Sequence, residues 1–304
     1  MRVLITGARG FVGKHLLSVL AKERPDCTVL TPSFDVTDRQ AVFGAIEAAQ
    51  PQICFHLAAV SSIGQARSEP DLAWRVNLGG VLNVADALKS AAPEALLVFT
   101  STSEAYGDSF RGGAPLDETA ALAPGNTYSA TKSAADLALG ALANDGLRVV
   151  RMRPFNHTGA GQTDSFVVPA FARQIARIEA GRQEPVISVG NLSAERDFLD
   201  VRDICAAYAS CLTHGATLPK GAILNLCSGQ TRSIRSILDD LLRLSGVAAK
   251  VEIAADKLRP VDLPRAAGSS ARAAELLGWR PRIAWDDTLR AVLDDWRRRV
   301  QDDA

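Results

Sequence analysis

Short apolar runs recur along the chain, spaced widely enough for a helix to fit between each pair. RVLIT from residue 2, CTVL from 27, QICFHLAA from 52, ALLVFTS from 95, LRVVRM from 147 and AILNLCSG from 222 each read as a strand. They are apolar throughout rather than alternating, as strands covered on both faces are. The helix-period segments between them supply crossovers, so the pattern predicts an α/β fold built on a doubly wound parallel sheet. Between about 156 and 196 the rhythm breaks into a loop-rich stretch with one helix, VPAFARQIARIEAG. Helices are expected around 232–245, 270–277 and 286–299. The expected organisation is a main domain over 1–155, rejoined by 197–226, and a smaller, discontinuous C-terminal lobe from 156–196 and 227–304.

Composition narrows the classes. Over 304 residues, 34 basic and 34 acidic side chains balance, so no net field gathers nucleic acid or an anionic membrane, and any phosphate site must be local. The cysteines (Cys27, Cys54, Cys205, Cys211, Cys227) form neither a CxxC pair nor a cluster with the four histidines, so no metal is expected and free thiols in a reducing compartment are. MRVLITGARGFVG is interrupted too early for a secretory core, and no apolar run reaches the ~20 residues of a membrane helix. A soluble, cytoplasmic protein is expected. The charged end RRRVQDDA has the character of a tail.

ITGARGFVGKHL follows the first strand directly and opens the first helix. Gly7, Gly10 and Gly13 permit a tight turn and let a pyrophosphate approach backbone N–H groups at the positive helix end, with Arg9, Phe11 and Val12 between them. A P-loop is excluded, because Ala8 and His15 stand where it needs Gly and Ser/Thr. The pattern is Rossmann-like. No carboxylate ends the second strand to take a ribose 2′-hydroxyl; the first is Asp35, further along, while Arg9 can face a 2′-phosphate. NADP(H) is therefore expected ahead of NAD(H).

Tyr128 and Lys132, four apart in NTYSATKSAAD, share one face of an alanine-rich helix. An ammonium beside the phenol favours phenolate and lowers its pKa from about 10. FTSTSEAYG leaves the end of a predicted strand, where ligands sit in this fold class. If the backbone stays extended there, Thr102 and Glu104 point the same way.

Together, the glycine loop, HLAA at 56–59, STSEAYG at 101–107 and YSATK at 128–132 resemble the extended branch of the short-chain dehydrogenase/reductase superfamily, in its order and over the whole chain. The resemblance implies that Tyr128 is the acid/base, that Lys132 binds the nicotinamide ribose and lowers the tyrosine pKa, and that Thr102 bonds the substrate oxygen. It also implies that Asp35 and Val36 flank the adenine and that Leu57, Ala58 and Ala59 pass along the cofactor.

RPFNHTGAGQ (153–162), VGNLSAERDFLDVRDICAAY (189–208) and RPVDLPR (259–265) look like the nucleotide-sugar enzymes of that superfamily that act on GDP-linked deoxyhexoses. They are most similar to the reductases of the C4 ketone of GDP-4-keto-6-deoxy-D-mannose. By that resemblance Pro154 and Phe155 border the nicotinamide, Ser103, Asn156, Arg196 and Arg259 contact the substrate, the last three at its diphosphate, and Asp262 holds the ribose. A GDP-mannose 4,6-dehydratase, or another nucleotide-sugar dehydratase or epimerase, remains an alternative, with Glu104 as its base. A non-catalytic NADP-binding sensor on the same fold is a third reading. The Tyr128 helix carries more apolar surface than one core-facing stripe requires. In the resembling family it pairs, with the helix at 71–89, across a homodimer.

Overall fold

The computed structural model describes residues 1–257 and 263–302. The chain opens with β1 (Arg2–Thr6), α1 (Phe11–Glu23), β2 (Thr28–Leu30), α2 (Arg39–Ala49) and β3 (Ile53–His56). A helical run follows: α3 (Ile63–Ser68), α4 (Pro70–Trp74), a π turn over Arg75–Gly80, and α5 (Val81–Ala91). β4 (Leu96–Thr100), a 3-10 segment (Ser103–Gly112), α6 (Thr127–Asn144) and β5 (Val149–Pro154) complete this half.

β6 (Asn156–Thr158), α7 (Val167–Glu179), β7 (Val186–Val189), β8 (Glu195–Asp200), α8 (Val201–His214) and β9 (Ala222–Leu226) come next. The remainder is β10 (Thr231–Ser233), α9 (Ile234–Ser245), β11 (Lys250–Ile253), β12 (Arg265–Ala266), α10 (Ala271–Leu277) and α11 (Trp285–Asp302).

The main sheet runs β2-β1-β3-β4-β5-β9, and every neighbouring pair in it is parallel. The strand order reverses beside β1, which places a crevice at the carboxyl ends of β1, β3 and β4. β3 is buried along its full length and β4 along all but Thr100, because helices cover both faces. α1 and α8 pack together on one face, while α2, α5 and α6 enclose a second apolar cluster around Leu4, Cys54, Leu97 and Phe99. A third cluster joins α7, α9 and α11 away from the sheet.

The stretch 156–196 holds more strand than the sequence pattern predicts. β8 pairs with β6, β10 and β12, and β7 pairs with β11. ERDFLD hides as a strand because Asp197 and Asp200 are buried with partners: Asp197 accepts from Ser228 and Gly229 N–H groups at 2.9 and 2.7 Å. The predicted C-terminal helices appear as α9, α10 and α11. Among the described residues, no helix is long and apolar enough to cross a membrane.

Candidate active site

The turn after β1 leaves no room for a side chain at Gly7 or Gly13. Gly7 has φ +70°, and a Cβ there would lie 2.6 Å from Ala58 N; one on Gly13 would lie 2.5 Å from Gly7 O. Gly10 is the N-cap of α1 and brings no capping side chain, so the first-turn N–H groups stay available to an anion. Arg9 is exposed beside them, and Phe11 and Val12 are half-buried. A Cβ-free cradle at the positive end of a helix fits a dinucleotide pyrophosphate. Leu57, Ala58 and Ala59 continue half-buried from β3. Asp35 accepts from Thr37 N and Oγ1 at 2.8 Å and so closes its own turn. Val36 is buried against Gly80.

α6 starts at a capping box, with Asn126 Oδ1 accepting from Ser129 N at 2.9 Å and Ser129 Oγ accepting from Asn126 N at 3.2 Å. Tyr128 thus lies in the first turn and Lys132 one turn further on, as their spacing predicts. Thr102 has extended backbone, but a helical turn begins at Ser103 and Thr102 Oγ1 accepts from Glu104 N at 3.2 Å. The extended run expected through Glu104 therefore stops at Thr102. Even so, Thr102 lies close enough to the Tyr128 phenol to lower its pKa, and the Glu104 charge acts on it as well.

One electrostatic expectation is overturned. Burial pushes the Tyr128 phenol up to about 12, with Thr102 opposing and Glu104 adding to the rise. Lys132 does not depress it, because the lysine is turned elsewhere: Nζ donates to the Thr100 carbonyl and sits 4.3 Å from the centre of the Phe99 ring. Lys132 is only 3% exposed, and burial lowers its pKa to about 7 against the upward pull of Asp136. Beneath it His56 shares a 2.9 Å hydrogen bond with Thr6 Oγ1, and burial, helped by the Lys132 charge, holds it neutral down to about pH 3.

Beside this set opens a cavity of about 790 Å³ bordered by α7, β7 and β8. Glu104, Asn156 and Arg196 line it, whereas Ser103 is buried. Arg196 Nη1 donates to Glu195 O at 2.9 Å and Leu263 O at 2.7 Å. Pro154 and Phe155 form a buried wall, and the Phe155 ring needs Gly268, where a Cβ would lie 2.2 Å from it. Arg259 and Asp262 lie outside the described residues. Arg173, Arg177 and Lys257 also line the cavity and escaped sequence reasoning. The first two stand four apart in the helical stretch VPAFARQIARIEAG, a spacing that puts them on one face.

Two further polar residues brace α6. Asn77, within the π turn, accepts from Val60 N at 2.8 Å and donates to Val60 O and Thr131 Oγ1, each at 3.0 Å. Asp136 is fully buried and accepts from Ser101 Oγ at 2.6 Å and from Arg153 Nε and Nη2 at 2.9 Å.

Known proteins share this architecture from end to end. A GDP-6-deoxy-D-mannose reductase of Pseudomonas aeruginosa is 35% identical over 99% of each chain. A UDP-glucose 4-epimerase of Corynebacterium glutamicum is 26% identical, with 97% of this chain and 94% of that protein covered. The solved structure of RMD from Pseudomonas aeruginosa complexed with NADPH superposes with a TM-score of 0.91 at 34% identity, covering 98% of this chain and all of that one. The profile of the NAD dependent epimerase/dehydratase family matches residues 3–227. The chain belongs to that family.

Proposed function

We propose that this protein reduces the C4 ketone of GDP-4-keto-6-deoxy-D-mannose to GDP-6-deoxy-D-mannose, with NADPH as the reductant. The observation that carries the reading is the meeting of Thr102 and the Tyr128 phenol beside a cavity lined by Arg196 and Asn156. The reductase likeness over 99% of both chains supports the same substrate class. NADPH supplies the hydride that C4 receives. Tyr128 gives its phenolic proton to the developing alkoxide, and a phenol raised to about 12 stands fully protonated at neutral pH, as a proton donor must. Thr102 bonds the same oxygen and Lys132 contributes positive charge, so fixed donors meet charge where it forms. Arg196, with Asn156, holds the diphosphate, since a guanidinium fork pairs two phosphate oxygens.

Arg9, exposed at the glycine loop, suits the 2′-phosphate of NADPH. All five cysteines are free thiols, which suits the cytoplasm. Trp74 on α4 and Leu137 on α6 are 41% and 60% exposed on helices that pack together, and we infer that a second copy covers them; a sedimentation mass of one chain refutes this.

The deciding assay follows NADPH absorbance with the keto sugar and, separately, with GDP-mannose. Oxidation with the keto sugar alone is expected, with product identity read by NMR. Tyr128→Phe should slow turnover about a hundredfold or more at unchanged cofactor affinity. Full activity of that variant refutes the assignment. Glu104, lining the cavity beside Tyr128, favours one alternative, dehydration of GDP-mannose, which would yield keto sugar from GDP-mannose without net NADPH consumption.

A further inference from the structure

We propose that Asp136 is a positioning residue of this site: one buried carboxylate that grips the exit of β4, the end of β5 and its own helix, and so fixes Thr102 in register with Lys132. Asp136 follows Lys132 by four residues, one turn along the same helical face. Its carboxylate accepts from Ser101 Oγ at 2.6 Å, and Ser101 is the residue directly before Thr102. It also accepts from Arg153 Nε and Nη2 at 2.9 Å and from Arg151 Nη1 at 3.0 Å, both on β5. Arg153 immediately precedes the Pro154–Phe155 wall. Its Nη1 donates to Tyr106 OH at 3.0 Å, and that hydroxyl donates to Asn225 Oδ1 of β9 at 2.8 Å. The grip therefore reaches across three elements of the sheet edge and back to the helix that bears Tyr128. Packing alone has no need of it, since apolar side chains of similar volume hold helices to sheets without desolvating charge. A charged, four-bonded carboxylate at this place fixes direction as well as distance.

Charge follows from the same geometry. Burial pushes the Asp136 carboxyl up, but Arg153, Ser101 and Arg151 outweigh it and hold the group ionised. Lys132 feels that anion from its own helix, where it opposes the effect of burial. Neutral His56 from β3 also faces Lys132, and Tyr208 of α8 lies near Thr100. Arg151 and Arg153 of β5 are occupied by Asp136, and Glu104 acts on Tyr128. Asp136 thus keeps Lys132 cationic to higher pH than burial alone would allow.

The inference rests on the Tyr128–Lys132–Thr102 reading, and Asp136→Asn tests it on the full-length enzyme with NADPH and the keto sugar. Per folded molecule, kcat should fall about tenfold or more while both KM values move less than about threefold. The alkaline limb of the kcat/KM profile should move to lower pH by about one unit. If this variant does not fold, Ser101→Ala, which leaves both arginine pairs intact, should lower kcat a few-fold (~3–10) at unchanged KM. Wild-type kcat with an unmoved alkaline limb in Asp136→Asn, or wild-type kcat in Ser101→Ala where only that variant folds, overturns the proposal. If Tyr128→Phe is inactive in the same preparation, that failure belongs to Asp136 alone; if Tyr128→Phe is active, the functional reading has failed instead.

Discussion

Lys132→Met should make the fold more stable while removing activity. The lysine is 3% exposed, and burial lowers its pKa from 10.5 to about 7. At ~1.4 kcal/mol per pH unit, that shift opposes folding by roughly 5 kcal/mol below pH 7, as an upper limit. Methionine keeps the aliphatic stem against Phe99 and gives up the bond to the Thr100 carbonyl, worth about 1–2 kcal/mol, so a net gain of roughly 2–4 kcal/mol is expected. The pH dependence distinguishes this cause from better packing. Because the folded pKa lies below the unfolded one, the unfolded chain holds the extra proton between about pH 7 and 10.5, and wild-type stability rises with pH across that window. The advantage of Lys132→Met is therefore largest below pH 7 and shrinks as pH rises. Denaturant melts of both proteins at pH 6.5 and pH 9, without cofactor, measure it, and NADPH turnover should fall about a hundredfold in parallel. A variant less stable than wild type at pH 6.5, or a gap indifferent to pH, refutes the reasoning.

Gly107 has φ +47°, and a Cβ there would lie 1.8 Å from Ala123 O; Gly107→Ala should cost about 2–4 kcal/mol in a denaturant melt and disturb Thr102 nearby. His56 stays neutral in the fold down to about pH 3, so the unfolded chain binds the extra proton below about pH 6.5 and stability is lost as pH falls; His56→Asn should flatten that acid slope, by up to ~1.4 kcal/mol per unit. Arg9→Ala should raise KM for NADPH about tenfold and leave KM for NADH within about twofold, read from initial rates.

What could be read in the sequence was local. The glycine loop, the first five strands and the Tyr128–Lys132 pair depend on spacing within one element, and each occupies its expected element. Asp136 could not be read in this way: its partners Ser101 and Arg153 lie 35 and 17 residues away, and in an alanine-rich helix an aspartate looks like a solvated position. The tyrosine pKa was misjudged because spacing gives the face of a helix, not where a long side chain ends, and the Lys132 ammonium ends on Thr100 and Phe99. Strand β8 is obscured because its Asp197 is satisfied by N–H groups of Ser228 and Gly229, a distant loop that the pattern of polar positions cannot register, and β6 and β7 are only three and four residues long.

The π turn at Arg75–Gly80 has an effect beyond its own length. Such a turn carries a surplus residue relative to the α-helical repeat, and each residue in a helix rotates the next by about 100°. Asn77 clasps Val60 and Thr131 at that bulge, so the surplus residue is held where the exit of β3 and α6 meet. Excising a single amino acid here would straighten the rod but spin Trp74 and everything before it away from its present heading. Outside Asn77 and Gly80, the stretch should tolerate substitution better than shortening, and related chains should keep its residue count even where other side chains drift.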